Sequence, residues 1–254
     1  MNMMFGYNLP NRQREILELL TLDTTIKIPE LCERLGVSST TIRSDLKSLA
    51  AKGIITRVRG SIFPAFHPNI TSKQKSKVDE KVRIAQAAAD LVQDDDTIMI
   101  AGGTTAALVA RFLLGKRDIH LISYSTLILP YVRTNPGIRL TLVGGEFRPY
   151  TESLVGTYAI EQLERFYARV VFLGADGFSL EHGLTANRVE DAVIAQKMAE
   201  RGEIKVLLAD SSKYGRRDSV SFLPMSKIDM LICDNGLPQD ICKQLKAEIK
   251  VILV

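Results

Sequence analysis

Apolar residues along this chain recur with two different periods, and the change from one to the other divides it. Over residues 12–20 (RQREILELL), Ile16, Leu17, Leu19 and Leu20 share one helical face. Pro29 suits the first turn of a second helix, whose inner face would be Leu31, Cys32 and Leu35. Gly36 can end that helix, because glycine accepts the left-handed conformation found at helix C-termini. Ser38 is then placed to cap a third helix, Ser39 to Lys52, by accepting a hydrogen bond from an orphan backbone N–H. On it Ile42, Leu46 and Leu49 fall at i, i+4 and i+7 and must face inward. Two helices joined across so short a glycine-containing turn predict a helix-turn-helix. After Gly53 the period becomes two: residues 54–59 (IITRVR) predict a strand with Arg57 and Arg59 on one face, in the place of the wing of a winged helix.

Residues 60–77 (GSIFPAFHPNITSKQKSK) hold two prolines and three lysines without a sustained period, and read as a linker that breaks helix and strand alike. The expected division is 1–60, a linker at 61–77, and 78–254. Beyond the linker, seven short and continuous apolar runs predict strands: residues 97–101, 120–123, 139–143, 170–174, 204–209, 230–233 and 250–254. Helical stretches fall between several of them, at residues 104–114, 190–201 and 239–248. Continuous rather than alternating strands, interleaved with helices, imply an α/β domain with a mostly parallel sheet covered on both faces.

Charge adds a second asymmetry to the change of period. Residues 1–77 carry 12 Lys+Arg against 6 Asp+Glu, whereas residues 78–254 carry 21 against 23. A small basic unit joined to a near-neutral one suggests contact between the first and a polyanion. The third helix sharpens this. With its apolar stripe inward, Ser39, Thr40, Arg43, Ser44 and Lys47 lie on the other side, carrying donors suited to base edges and phosphates. Arg57 and Arg59 on the wing would reach the DNA backbone. A helical bundle with a charged surface is the plainer alternative.

Composition excludes several classes. The chain of 254 residues is 46% hydrophobic and 24% charged, which rules out disorder and collagen-like repeats. No apolar run approaches the ~18 residues of a membrane span, and the N-terminus lacks a signal-peptide core, so a cytoplasmic protein is expected. Three scattered cysteines and three scattered histidines form neither a disulfide framework nor a metal-ligand cluster. No cofactor is expected: both G-x-x-x-x-G-K-[ST] and G-x-G-x-x-G are absent.

Candidate chemistry gathers where the strands end. In parallel sheets ligands sit beyond the strand carboxyl ends, and small or polar residues follow five runs directly. These are residues 102–105 (GGTT), 123–125 (SYS), 144–146 (GGE), 174–177 (GADG) and 210–213 (DSSK). Gly103, Thr104 and Thr105 open a helix, so backbone N–H groups and two hydroxyls could hold a phosphate. Lys213 could add a cation, while Asp176 and Glu190 could accept bonds from sugar hydroxyls. For either acid a surface or capping role is an ordinary alternative, and His182 is expected to be merely exposed.

Taken with the motifs RQREILELL, LGVSSTTIRSDLKSLAAKGIITRVRG, EKVRIAQAAADLV, GGTTAALVARFL, LVGGEFRPYTESLVG, FLGADGFSLEHGLT and LLADSSKYGR, the sequence resembles the DeoR family of bacterial transcriptional regulators over roughly residues 10–240. The resemblance implies a winged helix followed by a sensor domain similar to ribose-5-phosphate isomerase and CoA transferases. It implies a repressor of a carbohydrate-utilisation operon, double-stranded operator DNA as partner, a phosphorylated sugar as effector, and a homodimer or homotetramer. By motif position the effector contacts would be Gly103, Thr104, Thr105, Ser123, Ser125, Asp176, Gly177, Thr185, Glu190 and Lys213. Four places depart from the family's usual pattern: Ser44 where a second arginine commonly follows Arg43, Gly60-Ser61 at the wing's end, Ala101-Gly102 before the Gly-Thr-Thr loop, and Tyr124 where asparagine is common. The competing reading is a sugar-phosphate isomerase with an appended DNA-binding domain, Glu190 or Asp176 acting as base and Lys213 stabilising the enediolate. A pure interaction scaffold would leave the Gly-Thr-Thr loop and Lys213 unexplained.

Overall fold

The computed structural model describes residues 9–23, 26–51, 54–58, 61–64 and 66–254, and the chain divides into two compact units after Lys75. The first unit runs α1 (Asn11–Leu22), α2 (Ile28–Leu35), α3 (Ser39–Ala51), β1 (Ile55–Val58), β2 (Ser61–Pro64) and α4 (Pro68–Lys75). Its helix ends follow the local chemistry. Pro29 lies in the first turn of α2, and Gly36 closes that helix at φ +63°. At the head of α3 the Ser38 hydroxyl accepts the Thr41 N–H at 3.2 Å. Ile42, Leu46 and Leu49 of α3 are fully buried with Ile16, Leu20 and Leu31 from α1 and α2. Each such side chain contributes ~1.5–3 kcal/mol on burial, so this shared stripe holds the three helices together.

The expected linker is not one. Residues 61–64 form β2, antiparallel to β1 with Arg57 opposite Ile62, and residues 68–75 form α4. The two prolines read as breakers stand where proline does no harm. Pro64 ends a strand of a two-stranded ribbon, and Pro68 starts a helix whose first N–H groups have no intrahelical acceptor anyway. His67 then supplies acceptors for the turn: its carbonyl takes the N–H groups of Ile70 and Thr71 at 2.9 and 3.1 Å, and its Nδ1 that of Asn69 at 3.2 Å. Ile70 is buried. The division thus falls at residues 75 and 76, inside the stretch expected to be featureless.

The second unit opens with α5 (Val78–Ala89), β3 (Thr97–Ile100), α6 (Thr104–Val109), β4 (Ile119–Ser123), α7 (Leu129–Val132) and β5 (Ile138–Leu142). A hairpin, β6 (Glu146–Arg148) and β7 (Ser153–Val155), and α8 (Thr157–Leu163) follow. Then come β8 (Ala168–Leu173), β9 (Gly177–Ser179), β10 (Gly183–Ala186), α9 (Val189–Glu200), β11 (Gly202–Leu208), β12 (Val220–Leu223), β13 (Met230–Cys233), α10 (Gln239–Glu248) and β14 (Lys250–Leu253). All seven predicted apolar runs enter one sheet, in the order β14-β13-β11-β8-β3-β4-β5, and every pairing in it is parallel. Met99, Val171, Leu173 and Leu207 point to one face and pack with Ala159 and Leu163 of α8, Ala195 and Met198 of α9, and Leu245 of α10. Their neighbours Ile98, Ile100, Phe172 and Leu208, which alternate to the opposite face, are also buried, on the side where α5 and α6 lie against the sheet. A small antiparallel sheet, β12-β10-β9, was not anticipated: its three- and four-residue strands are too short to show a period.

The strand order places the site. From β3 the chain winds outward through β4 and β5, then returns to the other side of β3 and winds away through β8, β11, β13 and β14. The reversal falls between β3 and β8. In parallel sheets the carboxyl edge beside such a reversal is where ligands sit.

Candidate functional site

Two groups of residues carry candidate chemistry, one in each unit. On α3, Ser39, Thr40, Arg43, Ser44 and Lys47 are all exposed, on the face opposite the buried stripe. Asp45, between two of them, is turned inward. Its carboxylate takes hydrogen bonds from Arg12 Nε at 2.5 Å and from the buried Gln13 amide at 3.0 Å. Burial alone would raise the Asp45 carboxyl, but the bonds from Arg12 and then Gln13 outweigh it and hold it below the usual carboxylate range. The exposed face therefore keeps its cations and loses its one acid. Arg57 has a place on β1, but its side chain lies outside the described residues, as does all of Arg59.

In the second unit the loops that follow β3, β4, β5, β8 and β11 share the carboxyl edge of the sheet. The β3 and β8 loops touch: a Cβ on Gly174 would lie 3.1 Å from the Gly102 carbonyl oxygen. Gly103 takes φ +118° before α6, a conformation open to glycine and strained for other residues. Behind it Thr104 and Thr105 are buried, and the Thr105 hydroxyl has no hydrogen-bond partner among the described residues. Lys213 brings its ammonium to the β8 loop and donates to the Ala175 carbonyl at 2.6 Å. Asp176 accepts the Asn187 N–H at 3.1 Å.

Other expected contacts are engaged in bonds within the protein. Ser123 is fully buried, donates to the Ile100 carbonyl at 2.7 Å and accepts the Ser125 N–H at 3.0 Å. Ser125, also fully buried, donates to the Glu152 carbonyl. The Thr185 hydroxyl joins the Gly177 carbonyl to the Asp218 N–H, at 3.1 Å each. Gly177 is required by crowding, since a Cβ there would fall 2.1 Å from the Arg216 carbonyl oxygen. Glu190 is exposed, its nearest cation being Arg148 Nε at 4.0 Å. His182 is half-buried beside Glu181.

The sequence reading missed a layer over this edge. The β6–β7 hairpin crosses it: the Leu154 N–H bonds the Tyr124 carbonyl at 2.7 Å, and the Glu152 carbonyl accepts the Thr126 N–H at 2.9 Å. At the hairpin's turn, Thr151 donates to Asp191 at 3.1 Å and Tyr150 stacks under the Arg188 guanidinium at 4.2 Å. Tyr124 lies under the β3 loop, hydrogen-bonded to the Gly102 backbone and fully buried, and burial pushes its phenol up. Its ring stands 3.0 Å from where a Gly102 Cβ would be. A side chain at Gly102 would crowd the Tyr124 ring, which would have to give by a few tenths of an ångström.

Among the described residues no group of three or more His, Cys, Asp or Glu is placed to hold a metal, and no helix is long and apolar enough to cross a membrane.

Comparison with known proteins covers both units. Residues 12–63 match the DeoR-like helix-turn-helix domain, and residues 76–235 match the DeoR C-terminal sensor domain. The lactose phosphotransferase system repressor of Streptococcus mutans is 34% identical over 88% of this chain and 91% of its own. The transcriptional repressor GlcR of Bacillus subtilis is 31% identical over 91% and 90%. Among solved structures, ribose 5-phosphate isomerase A of Methanocaldococcus jannaschii is similar at TM-score 0.41 and 23% identity, over 55% of each chain.

Proposed function

The chain belongs to the DeoR family of transcriptional regulators, and on that premise we propose that it represses a carbohydrate-utilisation operon and leaves the operator when a phosphorylated sugar binds at the sheet's carboxyl edge. The observation that supports the effector half is the buried Thr105 hydroxyl behind the β3 loop, which has no hydrogen-bond partner among the described residues. A buried hydroxyl without a partner costs ~1–3 kcal/mol, and a ligand oxygen at that spot would remove the cost. The first N–H groups of α6 lack intrahelical acceptors and add donors at the same point. The Lys213 ammonium supplies positive charge from the neighbouring strand end. In this reading Gly103, Thr104, Thr105 and Lys213 hold the phosphate, while Asp176 accepts from the sugar. Ser123, Ser125, Gly177 and Thr185 fix the loops that present them.

The DNA half rests on the exposed Arg43 and Lys47, flanked by Ser39, Thr40 and Ser44, with Arg57 and Arg59 assigned to backbone phosphates along the wing. In a cytoplasmic homodimer or homotetramer, paired α3 helices would read half-sites about 34 Å apart, one turn of DNA. The matched relatives are named as repressors, one of them of a lactose phosphotransferase system, which supports a sugar operon as target.

A thermal-shift screen tests the assignment. At 100 times its Kd a ligand adds about 2.7 kcal/mol of stability. One phosphosugar should raise the melting temperature where its unphosphorylated form and nucleotides do not, and the same compound should release a DNA fragment carrying the operator. Uniform silence across the phosphosugars would refute the effector assignment.

A further inference from the structure

Glu152 is a buried acid on a surface hairpin. It closes the β6–β7 turn with a left-handed backbone, at φ +53°, and is only 8% exposed. That conformation is uncommon for a residue with a long side chain, so the contacts around it must impose it. Its carbonyl accepts the Thr126 N–H at 2.9 Å, the Thr126 hydroxyl at 3.2 Å and the Ser125 hydroxyl at 3.3 Å. One carboxyl oxygen, Oε2, meets the Thr126 hydroxyl. The other, Oε1, has no hydrogen-bond partner among the described residues, and no cation there pairs with the group. Burial pushes this carboxyl up, and the Thr126 bond works against that.

The neighbours of Glu152 place it beside the phosphate loop. Residues 126–128, to which it is bonded, pack against α6, the helix that begins at Thr104. The next residue along the hairpin, Ser153, holds its Oγ 3.1 Å from where a Gly102 Cβ would lie. Glu152 is thus tied on one side to the segment packed on α6 and on the other to the β3 loop. The Thr105 hydroxyl of α6 and the Glu152 Oε1 both lack partners among the described residues, within one group of loops. A buried carboxyl is costly unless donors or a cation meet it. A phosphate brings negative charge and would be repelled, whereas a sugar hydroxyl brings the missing donor. We propose that Glu152 accepts a hydrogen bond from a hydroxyl of the effector's sugar, so that the hairpin selects among sugar phosphates. This deepens the sugar-phosphate reading and rests on it.

The full-length protein and its E152M, E152G and T126V variants would be titrated calorimetrically. The probes are pentose 5-phosphates, hexose 6-phosphates, their monodeoxy analogues and inorganic phosphate. E152M fills the space without an acceptor, and E152G removes the side chain at a backbone angle that glycine adopts freely. E152M should weaken the preferred sugar phosphate about tenfold or more, as loss of a hydrogen bond to a charged acceptor does. Inorganic phosphate should change by less than about twofold. One monodeoxy analogue should bind wild type about tenfold more weakly than its parent, and both Glu152 variants should erase that difference. T126V breaks the tie to the β4 loop but keeps the carboxyl, so the deoxy difference should survive it. A merely structural Glu152 would act like T126V, weakening parent and analogue alike. E152G decides the matter if E152M folds poorly. Undiminished binding by the Glu152 variants, a deoxy penalty that survives them, or no such penalty in wild type overturns the proposal alone. Failure of every sugar phosphate to bind wild type overturns the sugar-phosphate reading and this proposal with it.

Discussion

Asp45 stands in sequence among the cations of α3, but its phase, next to Leu46 and four residues before Leu49, turns it inward. In the structure it ties α3 to α1 through Arg12 and Gln13. Because its folded pKa lies below the unfolded value, its contribution is present above about pH 4 and is lost as pH falls through the folded pKa. D45N should therefore lower the melting temperature of the helix-turn-helix unit at pH 7. The expected cost is about 1–3 kcal/mol, since asparagine keeps one acceptor oxygen where Arg12 and the buried Gln13 amide each need one. The gap between the melts of wild type and variant should shrink as pH falls below about 4, and a gap that stays constant with acid would remove the carboxylate from the account. Asp191 was legible by the same phase argument, had the register of α9 been fixed on Ala195 and Met198. Tyr124 and Gly102 were not, because their fit depends on a contact between two loops.

Legibility at the level of elements followed length and period. The seven sheet strands, α3 and α10 announced themselves through continuous apolar runs or a clean helical stripe. The hairpin β6–β7 and the strands β9, β10 and β12 did not, because three or four residues cannot display a period. The wing's return strand and α4 were hidden by Pro64 and Pro68, which look like interruptions and act as boundaries. For α3 itself, its role is testable by the kind of loss each position produces. R43A and K47A should weaken operator and random DNA alike, with the slope of log K against log salt shrinking by roughly 0.9 per phosphate contact removed. T40A or S44A should change sequence preference, by ~1–3 kcal/mol where a base is read. Gel-shift titrations at several salt concentrations separate the two, and equal losses on both DNAs from every variant would end the assignment of α3 as the reading helix.

For the whole molecule, repression that responds to a metabolite is a statement about coupling between two units. If the effector lowers operator affinity by some factor, operator must lower effector affinity by the same factor, typically ~1–3 kcal/mol. Titrating the phosphosugar with and without saturating operator should show this reciprocity, and an effector affinity blind to DNA would mean that the sensor does not govern the reading head. The uneven charge serves the same division: the excess of cations lies in the helix-turn-helix unit, and the near-neutral unit has no electrostatic reason to approach DNA.

The reversal of strand order at β3 also has a consequence for how the chain is born. During synthesis β3, β4 and β5 can associate as soon as residue 142 has emerged, but the other side of β3 waits for β8, which ends at Leu173. Until then the growing domain presents Ile98, Met99 and Ile100 on an open parallel edge, the kind of surface that recruits other nascent chains. The helix-turn-helix unit, made first and built from local contacts, has no such wait. The strand at which the sheet reverses its order in the finished protein is thus the most vulnerable part of the unfinished one.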